Sequence, residues 1–133
     1  MKLVIITGLL LSSVCFANRE SGGREGASAI YVDFKSIGSG IDTVSAETFA
    51  KLSSEALENG NVVDSTAEQI GREGESLYCI KLTNANLRYE FIKALAVPII
   101  ADRQATGVQR TAVYVGMECH SFETATEQDI TRN

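Results

Sequence analysis

The chain has 133 residues and a formal net charge of −5, with 12 Lys and Arg against 17 Asp and Glu. That length suits one domain with a single core, and an acidic chain without a basic cluster lacks the clustered Lys and Arg that nucleic-acid phosphates require. Negative surfaces also repel anionic membranes, so the expected partner is another protein, with no nucleic acid.

The first seventeen residues read as an export signal. Lys2 supplies a positive start, Leu3 to Leu11 an apolar stretch too short to span a bilayer, and Cys15-Phe16-Ala17 a small-residue cleavage site. Lipid attachment at Cys15 is the weaker reading, since Val14 is bulky where such sites carry a small residue. Cleavage after Ala17 leaves about 116 residues, a formal charge of −6 and no stable membrane insertion, in the periplasm or outside the cell. Residues 18–28, with Gly22, Gly23 and Gly26, read as a flexible lead-in to a domain over 29–120.

Ile30, Val32 and Phe34 alternate with Tyr31, Asp33 and Lys35, the period of a strand with one buried face. Gly38-Ser39-Gly40 breaks it. Ser45 then reads as the N-cap of an amphipathic helix that carries Phe49, Leu52, Ala56 and Leu57 on one side and ends at Gly60, with Glu47 in its first turn. A weakly alternating run from Val62 to Ile70, a Gly71–Glu75 turn and a strand over Leu77–Leu82 make a hairpin. Its first arm has little to bury and suits a sheet edge.

Asn84 or Asn86 can cap a second helix, with Leu87, Phe91, Ala94 and Leu95 inward and Tyr89, Ile92 and Ala96 widening that face. Pro98 should stop or kink it, and residues 102–107 read as a loop. Residues 108–119 form the last strand, with a bulge at Gly116, and the polar tail over 121–133 should fray. The order strand, helix, strand, strand, helix, strand predicts an α+β domain of the ferredoxin-like split βαβ kind, two helices on one face of a four-stranded antiparallel sheet.

The segments Ile37-Gly38-Ser39-Gly40-Ile41-Asp42, Gly71-Arg72-Glu73-Gly74-Glu75 and Tyr78-Cys79-Ile80-Lys81-Leu82 resemble a group of small bacterial exported proteins of unassigned function. The resemblance implies a periplasmic or secreted setting and no mechanism.

Three places on this scaffold are candidate sites. The loop of Gly38, Ser39 and Gly40, with Asp42 at the helix start, could hold an anion, although a tight turn explains its glycines as well and Asp42 suits a cap. Arg72, Glu73 and Glu75 could form a binding prong at the hairpin tip, against the plainer reading of a solvated turn. Tyr31, Asp33, Lys35 and Tyr114 should lie on the open sheet face as a protein-contact patch, so that Tyr31→Ala or Tyr114→Ala would leave the fold intact.

His120 is the sole histidine, and no second histidine or Cys-x-x-Cys completes a metal set around it. No cofactor or metal is therefore expected. The leading functional expectation is an exported, non-catalytic protein-binding module or inhibitor. The alternatives are a small hydrolase-like enzyme using Asp33, Asp42, Glu73 or His120, and an anion-binding protein.

Cys79 and Cys119 set export against topology. In an exported chain an even pair favours a disulfide. Strand order 4-1-3-2 nevertheless puts the third and fourth strands on either side of the first, roughly 9 to 10 Å apart, beyond the roughly 7 Å between Cα atoms that a disulfide bridges. The expectation that reconciles the two is a bond with Cys119 just past the end of its strand.

Overall fold

Five antiparallel strands and two helices make an α+β fold in the computed structural model, which describes residues 28–38 and 40–130. In chain order the elements are β1 (Ala29–Phe34), α1 (Thr43–Glu58), β2 (Val62–Gln69), β3 (Ser76–Leu82), α2 (Ala85–Thr106), β4 (Thr111–Gly116), a 3-10 turn (Phe122–Thr124) and β5 (Thr126–Glu127). The sheet order is β2-β3-β1-β4-β5. The export signal at 1–17 and most of the 18–28 lead-in lie outside the described residues.

β1 is central because both of its faces can be buried. Ile30, Val32 and Phe34 enter the larger core beneath the helices, with Phe49 of α1, Phe91, Leu95 and Ile99 of α2, Ile80, Leu82 and Val113. Phe34, Phe49, Tyr78 and Phe91 meet as tilted or edge-to-face rings 5.3 to 6.1 Å apart, the arrangement that ring quadrupoles favour.

Both helices differ from the expected bounds for local chemical reasons. α1 is capped by Asp42 and not by Ser45: the Asp42 carboxylate accepts the Ser45 N–H at 3.0 Å and also the Ser45 hydroxyl, and both residues are buried. Starting at Thr43, the helix puts Glu47 beyond its first turn. α2 is capped by Asn84, whose side chain accepts the Leu87 N–H at 2.9 Å.

Pro98 does not stop α2, and most of the loop expected over 102–107 is helix instead. Helix continues to Thr106, and Gly107, at φ 81°, closes it. A proline here deprives the Ala94 carbonyl of its partner, at roughly 3 kcal/mol. The apolar stripe offsets that cost, because Leu95, Ile99 and Ile100 stay against the sheet across the proline. Tyr89, expected to widen the inner face, is instead 60% exposed.

The second face of the sheet was expected to be open. It is covered. β4 ends at Gly116 in regular pairing with Ala29, so no bulge forms there; the one register shift lies in β2, between Val62 and Asp64. Beyond Gly116 the chain turns across β1, bonds Cys119 to Cys79 with 5.5 Å between Cα atoms, and returns as β5 against β4. Leaving the ladder after Gly116 is what brings Cys119 within reach of β3.

The segment from Ser121, expected to fray, therefore packs through residue 130. Phe122 stacks 5.1 Å from the Tyr31 ring and 4.9 Å from Tyr114, and Ile130 is buried in the larger core. Tyr31 is 2% exposed, donates its hydroxyl hydrogen to the Glu118 carbonyl and accepts the Ser121 N–H at 3.1 Å. A buried phenol with both hydrogen-bonding directions satisfied is a core residue. The contact patch expected at Tyr31 is thus corrected, because the tail and its disulfide close over it.

Candidate functional site

The residues singled out at the β1–α1 turn and the hairpin tip come together at one end of the sheet. Ser36 donates to Glu73 at 2.6 Å, and a Cβ added at Gly74 would meet the Ile41 side chain at 3.2 Å, so the tip rests on the loop. Gly38 and Gly40 adopt φ of 72° and 119°, values that a side chain resists. Ser39 lies outside the described residues.

Arg110 fixes this loop from the far side. It pairs in fork fashion with Asp102 of α2 at 2.5 and 3.1 Å and donates to the Gly40 carbonyl at 2.8 Å. The hydrogen bond to Asp102 raises the guanidinium's pKa further, so the tie is permanently charged. An anion seat at the start of α1 meets a carboxylate already there, since Asp42 takes the Ser45 N–H. Arg72 and Glu73 project from the tip, exposed.

Asp33 lies on the tail-covered side of β1, between Leu77 and Ala112, with Lys35 at 4.0 Å. Burial pushes its carboxyl pKa upward; Lys35 opposes that, while Glu127 and Glu75 add to it. Tyr114, half-buried nearby, is also raised, first by burial and then by Glu127 and Asp33. The other acid–base candidates lie elsewhere: Asp42 is committed beneath α1, Glu73 accepts from Ser36, and His120 meets Asp64 of β2 at 3.2 Å. Among the described residues no group of three or more His, Cys, Asp or Glu is placed to hold a metal ion.

A feature that none of these residues marks lies at the β2 margin of the sheet. β2 is an edge strand, and no other strand pairs with its outer side among the described residues. Its register with β3 sets Ser65 against Ile80 and Ala67 against Tyr78, so Ser65 and Ala67 share the helix-side face with those core residues. Both are nevertheless exposed.

The cause is side-chain size. Across from them α1 presents Ala46, Ala50, Ser53 and Ser54, too short to reach the strand, and a groove of 540 Å3 remains. Phe49, Tyr78 and Ile80 also line it, Leu57 and Val62 stand at one end, and the Ser53 hydroxyl is buried without a hydrogen-bond partner. Leu57 is exposed at the groove's end. The sequence signal was present in the small residues at positions 46, 50, 53 and 54, spaced along one helix side, facing a strand with little to bury.

A second groove, of 680 Å3, runs along α2 between Tyr89, Ile92, Val97 and Ile100 and the chain at Gln128–Ile130. The α1–β2 groove differs in having beside it a strand edge that no other described strand pairs with. None of the described helices is long and apolar enough to cross a membrane. No protein-family model, curated protein or solved structure matches the chain.

Proposed function

We propose that this is a small exported, non-catalytic protein-binding module with a ferredoxin-like core, and that it binds through the α1–β2 groove. The observation that carries the reading is that β2 turns Ser65 and Ala67 toward the helices and leaves them uncovered. A strand that is sheet on one side and bare on its helix-facing surface is built like a receptor for one more strand.

The order of the first four strands supports the ferredoxin-like assignment: read from the other edge it runs 4-1-3-2, with α1 and α2 against one face, and β5 is an addition from the tail. The disulfide and the apolar leader both suit a periplasmic or secreted chain, the setting that the resemblance implies. Mass spectrometry of exported protein should then find Asn18 as the first residue; an intact Met1 or a lipid on Cys15 overturns the export assignment.

The binding assignment is tested by placing a photo-crosslinking phenylalanine analogue at Ala67 or, as a control, at Glu123 on the tail. A discrete adduct from position 67 that disappears when Ala50→Trp fills the groove is the expected result. Equal adducts from both positions, or an adduct indifferent to Ala50→Trp, refute the groove as the site.

A further inference from the structure

We propose that the partner is an extended segment that adds to the free edge of β2 as a sixth strand and alternates apolar with basic side chains. This rests on reading the α1–β2 groove as the binding site and adds the chemistry of the occupant. A strand paired with β2 must follow its two-residue period, so alternate side chains face opposite sides of the sheet.

One set would enter the groove beneath α1, against Ala46, Phe49, Ala50 and Tyr78. These positions call for apolar side chains, because a lining of alanine, aromatic carbon and neutral hydroxyls holds no counter-charge. The buried Ser53 hydroxyl supplies a polar contact within that wall, beside the other hydroxyl-bearing residues of the lining, Ser54, Ser65 and Thr66. Among the described residues the Ser53 oxygen is the buried side-chain oxygen of that lining that has no hydrogen-bond partner.

The other set would lie beside Asp64, Thr66 and Glu68, which β3 pairing turns to the opposite face with Lys81, Cys79 and Leu77. Cross-strand neighbours of opposite charge are favoured there. Glu47 and Glu58, both exposed on the solvent side of the α1 stripe, add negative charge along the rim; the counter-charges are Lys51, the His120 that meets Asp64, and Lys81 opposite Asp64, which is itself paired with Glu118. The balance remains acidic, and basic side chains suit it.

The same charges argue against a second copy of this chain. Two β2 edges paired antiparallel would bring Asp64 and Glu68 of one toward those of the other, and like charges on facing strands are unfavourable. The register shift at Val62/Asp64 also interrupts the ladder that two copies would have to share.

The test uses two ten-residue peptides, one alternating Lys and Val and one alternating Glu and Val, each N-methylated at alternate residues so that only one edge can pair. Titrated into the exported protein, the Lys-Val peptide should slow hydrogen exchange at β2 amides about tenfold or more, and its affinity should fall several-fold as salt rises to about 0.5 M. The double substitution Asp64→Asn and Glu68→Gln should weaken it about tenfold with little change in Tm, and Ala50→Trp should abolish it. Equal protection by the Glu-Val peptide would overturn the charge assignment and leave the groove reading standing. Protection of β2 by neither peptide would overturn both, and concentration-dependent dimerisation that protects β2 without peptide would replace the segment with a second copy.

Discussion

The two margins of the sheet end differently. Beyond β4 the chain has a polar segment that folds back, is bonded through Cys119 to β3, and adds β5 as a closing strand. Beyond β2 nothing in the described chain is left to fold over the edge, and a helix of small residues fails to reach it. Whether a margin of this sheet is closed or bare depends on whether the chain beyond it returns as another strand.

The closed margin can be broken at its covalent tie. Replacing both Cys79 and Cys119 with Ser releases a link spanning 40 residues in sequence, which the loop-entropy argument values at roughly 4 kcal/mol. Denaturant unfolding should show that loss, with amides of residues 117–130 exchanging first and the helix-side core retained; a uniform loss of protection would mean that both faces depend on the tail.

Tyr31→Ala is the next largest. It empties a fully covered site beneath Phe122 and should cost about 3 kcal/mol, while Tyr31→Phe, which strands the Glu118 carbonyl and the Ser121 N–H, should cost about 1 kcal/mol. An unchanged Tm for Tyr31→Ala would return that face to solvent.

The smallest effect concerns Asp33, whose raised pKa means that the folded state binds its proton more tightly than the unfolded state does. Stability from this group is therefore present at low pH and is lost as pH rises from the ordinary carboxylate value of 3.8 through the higher folded value. Asp33→Asn should raise Tm slightly at pH 7 and flatten that acidic limb of the stability profile. A lowered Tm would show that the contact with Lys35 outweighs burial.

The helix-covered half was readable because its signals are periodic. Ile30, Val32 and Phe34 recur every second residue, Phe91, Leu95 and Ile99 every fourth, and the weak arm at Val62–Gln69 declared itself an edge by having little to bury. Pro98 misled because a local rule was outweighed by packing on both sides of it. The tail misled for the opposite reason, since Phe122 and Ile130 are isolated apolar residues with no period, and their burial depends on a disulfide that fixes where the chain turns. The groove lay beyond the motifs because it is defined by side chains that are too short, and a list of reactive residues does not register those.

The placement of β1 also governs the sequence of folding events. It is the first strand of the described chain, yet its neighbours β3 and β4 lie some 50 and 80 residues further along, so pairing at the sheet's centre must wait for long loops to close. Among paired strands loop closure costs least for the shortest connection, which is the Ile70–Glu75 turn between β2 and β3. The hairpin that carries the bare edge is thus favoured to assemble early and to wait for β1, and that edge must resist unwanted pairing throughout the interval as well as in the finished molecule. Asp64, Glu68 and the register shift guard it from the time it forms.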